Sequence, residues 1–137
     1  MEGTIVRSRL VLSRPARPAT GEDAAIAQDL LDTLQAHEAT CAGMAANMVG
    51  QSVSIIAFFD ERKRACVMLN PRIIERTGAY QTQEGCLSLD GVRPATRHRR
   101  IKVSWQDLDM VEHTATYQGF VAQVIQHECD HLAGIVI

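Results

Sequence analysis

The first sustained pattern along the chain is a helical one. In "TGEDAAIAQDLLDTLQAHEA", residues 20–39, Ile26, Leu30, Leu31 and Leu34 recur at spacings of three and four and form one apolar stripe. Thr20 is a natural N-cap and Asp23 its capping-box partner, while Glu22 and Asp23 suit the positive end of the helix dipole. The period then shortens. "SVSIIAFFD" and "ACVMLNP" are short runs rich in β-formers joined by the polar "ERKR", which predicts a hairpin. "IKVSWQD" and "EHTATYQ" repeat the arrangement around a turn at "DLDM". Between them, "TGAYQTQEGCLSLDGVRPATRHRR" shows no period, and its glycines and prolines predict an irregular segment. "GFVAQVIQHECDHLAG" returns to helical spacing through Phe120, Val121, Val124, Ile125, Cys129 and Leu132, with Gly134 as its stop. Short antiparallel strands packed around a C-terminal helix, with a second helix near the N-terminus, make an α+β fold in a single domain spanning 1–137.

Composition narrows this picture. The chain has 137 residues, and aromatics make up only 4%, so the core is expected to be aliphatic and alanine-rich. A formal net charge of −2 argues against broad binding to nucleic acid or anionic membrane. No apolar run reaches bilayer-spanning length, and arginines interrupt the N-terminal apolar residues where a signal peptide would be continuous. A cytoplasmic, soluble protein is expected. The basic run "RHRR", residues 97–100, reads as a solvated strand edge rather than a docking patch.

The cysteines at 41, 66, 86 and 129 have no CxxC spacing, which disfavours a disulfide framework. Cys41 and Cys66 read as packing thiols. The terminal helix carries "QHECDH", in which His127 and His131 lie one turn apart on the same side. Two imidazoles so placed can share a metal ion, with Glu128 beside them positioned to reach water at the ion. A catalytic divalent metal needs a third protein ligand, and no His, Glu, Asp or Cys follows His131. His37, His98, His113, Cys41, Cys66, Cys86 and several carboxylates remain open as that ligand. Cys129 falls on the wrong side of the helix. A solvated helix end with two surface histidines is the competing reading of the motif alone, and a zinc endopeptidase a further one.

Three motifs in order, "AGMAAN", "EGCLS" and "QHECDH", resemble the peptide deformylase family pattern of Gly-x-Gly-Leu-Ala-Ala-x-Gln, Glu-Gly-Cys-Leu-Ser and Gln-His-Glu-x-x-His. The resemblance runs from about the first helix to the C-terminus, and the last two motifs match residue for residue. It implies a metal-dependent hydrolase that removes the formyl group from formyl-methionine on nascent polypeptides. Cys86, His127 and His131 would then hold the metal, and Glu128 would act as general base. The backbone N–H of Leu87 would serve as an oxyanion donor. Fe²⁺ is the expected ion, with Zn²⁺, Ni²⁺ or Co²⁺ able to replace it. Ala42, Gly43 and Met44 would lie along the substrate backbone, with the missing Cβ of Gly43 allowing close approach. Phe120, Gln123 and Val124 map near the methionine pocket, although Phe120 and Val124 are equally suited to plain core packing. Arg93 matches an arginine that meets substrate, and a solvated arginine is its alternative. The expected partners are an N-formylated peptide and, transiently, the ribosome.

The first motif departs from the family pattern in two places. Cys41 stands where the first glycine is usual. Met48 stands where the family has a glutamine that donates to the formyl oxygen, and a thioether cannot donate. Asn47 is expected to face the other way, as neighbours on an extended segment do. The chain also stops at Ile137, soon after "HLAG", which is similar to short deformylase-like forms. Met48 therefore raises a second expectation: a non-catalytic relative that binds metal or peptide.

Overall fold

The structure is a computed structural model that describes residues 5, 12, 14–86 and 89–135, with residues 89 and 90 described in their backbone only. The first helix forms where its apolar stripe predicts. A 3₁₀ turn, Gly21–Asp23, leads into α1, Ala24–Ala36, and Thr20 and Asp23 make the expected capping box. Asp23 is also gripped by Arg17 at 2.8 Å, and that ion pair and the Thr20 backbone hold its carboxyl down at about 2. Leu30 and Leu34 are fully buried, whereas Ile26 and Leu31 sit at the margin of the core.

Five strands follow: β1 Gly43–Ala45, β2 Ile55–Phe59, β3 Ala65–Cys86, β4 Leu89–Gln106 and β5 Glu112–Gln118. They form one antiparallel sheet in the order β1-β2-β3-β4-β5. Both predicted hairpins are present. In the first turn Asp60 accepts from the backbone N–H groups of Arg62 and Arg64, and Lys63 takes a positive φ. In the second, Asp107 accepts from Asp109 and Val111, and Met110 takes the positive φ.

The expectation for 77–100 is overturned. Instead of an irregular segment, β3 and β4 run on as a long ribbon, paired from Leu69↔Gln106 to Cys86↔Leu89. Most of the side chains from 74 to 83 are exposed, and the buried positions nearer the tip, Glu84 and Arg97, are charged, so no apolar period-2 pattern marks the ribbon. Its glycines and prolines do not end the strands. Gly78 takes a φ of 75° within β3, and register shifts at Leu69/Arg72, Ile73/Glu75 and Gly85/Cys86 absorb the irregularity. Pro94 lies in the stretch of β4 that precedes its pairing with β5, which begins at Arg100↔Gln118. A proline is tolerated there because β4 has β3 on one side only.

The last helix, α2 Gly119–Leu132, packs across β1, β2 and β4. Its C-terminus is a Schellman turn: Gly134 N–H donates to His131 C=O at 3.0 Å and Ile135 N–H to Asp130 C=O at 2.9 Å. Gly134 has a φ of 81°, which only glycine adopts without penalty. The core between helices and sheet is aliphatic, as composition implies, and Phe58 is the one ring among its largest fully buried side chains. No helix among the described residues is long and apolar enough to cross a membrane. The ribbon's end and α2 thus come together, which places the tip of β3 beside the histidine face of the helix.

Candidate metal centre

His127 and His131 project from the same side of α2, and their Nε2 atoms lie 3.1 Å apart. Cys86, the last residue of β3, brings its Sγ to 3.4 Å from His131 Nε2. One ligand atom from each of these three residues lies within 4.8 Å of the other two. A tetrahedral ion with bonds of roughly 2.0–2.3 Å holds its ligands roughly 3.3–3.8 Å apart, so the set fits a divalent ion with only small adjustment. A thiolate with two imidazoles suits iron, zinc, nickel or cobalt and leaves one corner for solvent. His37, His98, His113, Cys41, Cys66 and Cys129 stay out of this group. His113 instead pairs with Asp107 at 2.7 Å, and His37 Nδ1 lies 2.9 Å from Thr33 C=O.

Behind the ligands lies a charged network. His127 Nδ1 is 2.8 Å from Glu84 Oε1, and an ionised carboxylate there requires the proton on Nδ1, which turns Nε2 toward Cys86 and His131. Arg97 grips both oxygens of Glu84 and reaches Asp130 with its other arm at 2.6 Å. Gln123 also donates to Glu84, at 2.8 Å. Burial alone would raise the Glu84 carboxyl, but the hydrogen bonds from His127, Arg97 and Gln123 outweigh it and hold it at about 2. The two imidazoles are driven apart. Burial disfavours a charged His127, yet Cys86 and Glu84 push it up to about 10, whereas burial and the neighbouring His127 press His131 down to about 3. Burial also raises Glu128, to about 7.

Sequence reasoning assigned no role to Glu84 or Arg97. Glu84 precedes Cys86 by two in a strand, so a shared face was available as a signal. Arg97 corrects the reading of "RHRR": only 4% exposed, it is a buried anchor, not part of a solvated edge. Arg99 and Arg100 are exposed, Arg99 lying over the Tyr80 ring, while His98 is tied through its backbone to Gln126.

A cavity of about 270 Å³ opens beside the ligands. Ala42, Gly43, Met48, Cys86, Phe120, Gln123, Val124, His127 and Glu128 line it, together with Cys41 and Glu84. His131 lies beneath, fully buried. Met44 and Arg93 are not on this wall: Met44 is a fully buried core residue, and Arg93 pairs with Glu84 in the ribbon. Leu87 lies outside the described residues. Phe120 is 66% exposed, so it sits on the rim rather than in the core, whereas Val124 is buried. Glu128 is 4% exposed and its Oε1 has no hydrogen-bond partner among the described residues.

The glycine at 43 is required by the fold itself. A Cβ there would stand 2.5 Å from Val124 Cγ1 and 3.2 Å from Glu128 Oε2. Met48 is buried on the cavity wall and fills the position with apolar bulk, as expected. Asn47 faces elsewhere, but for a different reason: Ala46–Val49 is a 3₁₀ turn rather than an extended segment. Its Nδ2 donates to the backbone C=O of His131 at 2.7 Å.

These features coincide with what comparison finds. The family model for polypeptide deformylase matches residues 5–137. A peptide deformylase of Clostridium beijerinckii is 39% identical over 133 residues, covering 97% of each chain. The crystal structure of peptide deformylase from Thermus thermophilus superposes with a TM-score of 0.85 at 34% identity, over 99% of this chain and 83% of the other. That from Thermotoga maritima reaches 0.87 at 28% identity, over 99% and 95%. Matched nearly end to end in both sequence and fold, the chain belongs to the peptide deformylase family.

Proposed function

We propose that this protein is a metallohydrolase that removes the formyl group from the N-terminal formyl-methionine of nascent polypeptides, releasing formate. One observation carries the reading: Cys86, His127 and His131 converge within 4.8 Å of one another beside Glu128, whose buried Oε1 has no hydrogen-bond partner among the described residues, at a cavity of about 270 Å³. Cys86, His127 and His131 would hold the ion, which we assign as Fe²⁺, with Zn²⁺, Ni²⁺ or Co²⁺ also suited to the ligands. Such an ion would supply Lewis acidity to water and to the formyl carbonyl.

The chain's own residues do the rest. Glu128 takes the proton of the attacking water and delivers it to the amine nitrogen as the C–N bond breaks. Ala42 and Gly43, at the free edge of the sheet, align the peptide as an added strand. Phe120, Gln123 and Val124 receive the methionine side chain. The N–H of Leu87 is assigned to the oxyanion. Because formylated chains arise at the ribosome, we place the protein in the cytoplasm, in transient contact with it.

Formate release from a formyl-Met-Ala-Ser peptide, with Fe²⁺ or Ni²⁺ loaded anaerobically, tests this. Wild type is expected to exceed Glu128→Ala by roughly 10²–10⁴-fold, the usual worth of a general base. Equal rates would refute it. A second reading, a relative that binds peptide and metal without turnover, is favoured by one observation: Met48, whose thioether cannot donate a hydrogen bond, is buried on the cavity wall.

A further inference from the structure

β1 is the end strand of the sheet and is paired with β2 alone. Gly43 lies opposite Phe58 and Met44 opposite Ala57, while Phe59 N–H donates to Ala42 C=O at 3.1 Å. Hydrogen-bonded and non-hydrogen-bonded pairs alternate along an antiparallel ladder. Ala42 and Met44 therefore turn their backbone groups toward β2, and Gly43 and Ala45 turn theirs toward the open edge. Both outward-facing residues are met by sulfur. The Cys41 thiol donates to Gly43 C=O at 2.9 Å, and Ala45 N–H donates to Met48 Sδ at 3.4 Å. Cys41 and Met48 are the same two positions at which the first motif departs from the family pattern. Both line the cavity that Glu128 also lines, and the buried Glu128 Oε1 has no hydrogen-bond partner among the described residues. A buried carboxylate left without a partner on a cavity wall marks that cavity as one that takes a polar ligand.

We propose that Cys41 and Met48 are caps on the free edge of β1 that a formylated peptide displaces when it adds as a strand, with the Cys41 thiol acting as a built-in competitor that sets affinity for the peptide backbone. This rests on the proposed function, which makes a peptide the ligand. A thiol is a weak donor and a thioether a weak acceptor, so each cap satisfies its backbone group in the free protein and yields to a peptide amide. Burial, together with the nearby Glu128, pushes the Cys41 thiol up to about 12, so the group stays an S–H donor. A residue without a donor at 41 leaves the Gly43 carbonyl free for the incoming peptide, and a hydroxyl competes harder than a thiol.

The test uses zinc-loaded protein and the tripeptide Met-Ala-Ser. Calorimetry gives its affinity for wild type, Cys41→Ala and Cys41→Ser, and the wild-type-minus-Cys41→Ala infrared difference isolates the Cys41 S–H stretching band. We expect Cys41→Ala to bind about threefold tighter, the scale of one weak hydrogen bond, and Cys41→Ser no tighter than wild type. The S–H band should move to higher frequency as the peptide displaces the cap. Peptide that binds without shifting the band, or with equal affinity for wild type and Cys41→Ala, overturns the capping role while leaving the functional reading intact. Failure of every variant to bind either this peptide or its formylated form overturns the functional reading itself, and the caps with it.

Discussion

The two walls of the cavity have fared differently. On one, the tip of β3 and the face of α2 carry the complete ligand set, the buried Glu128, and Glu84 and Arg97 behind them. On the other, β1 and the turn after it keep the shape of the family motif but exchange its glycine and glutamine for Cys41 and Met48. The wall proposed to hold the ion and move the proton keeps the motif residues Cys86, His127, Glu128 and His131. The wall proposed to meet the substrate's carbonyl and backbone carries sulfur at both departures. Ligand geometry is held by a dense buried network, in which each change leaves a charge unpaired. The substrate wall is lined by single contacts, which can change one at a time.

The largest effect is expected from undoing that difference. Met48→Gln returns a donor to the substrate wall, and an oxyanion donor is worth ~2.7–4 kcal/mol. Formate release should rise by roughly 10²–10³-fold. No rise, with peptide binding retained, would favour the non-catalytic reading and make the walls differ in function as well as in sequence.

Breaking the intact wall sharpens the contrast. Arg97→Met leaves Glu84 buried with one cationic partner fewer, and removing one member of a buried pair costs about 3–5 kcal/mol. Urea unfolding should show that loss, and zinc affinity should fall about 10–100-fold as His127 loses its fixed orientation. Unchanged metal affinity would show that the network supports the fold alone.

Gly43→Ala probes where the walls touch. Its Cβ would collide with Val124, so we expect a loss of about 1–3 kcal/mol, read by thermal or urea unfolding. An unaltered stability would mean that β1 moves freely with respect to α2.

The two helices were legible because each buries one face and so prints its period on the sequence, and both hairpins because short runs of β-formers flank a polar turn. The ribbon of 77–100 was not, because much of it is exposed and what it buries, Glu84 and Arg97, is charged, so no apolar print is left, and glycines within bulges resemble glycines that end strands. The convergence of Cys86, His127 and His131 was legible through the motifs, since i and i+4 on a helix must share a side. Arg97 was not: a run of basic residues gives no sign of which member lies under a helix that arrives later in the chain. Met48 was legible as apolar bulk, but its bond to Ala45 N–H depends on a 3₁₀ turn that local sequence did not announce.

X-ray absorption at the metal edge of zinc-loaded protein tests the central claim most directly. The account predicts one sulfur at about 2.3 Å and two imidazole nitrogens at about 2.0–2.1 Å, with the sulfur lost in Cys86→Ser. A shell of nitrogen and oxygen alone, unchanged by that substitution, would contradict it.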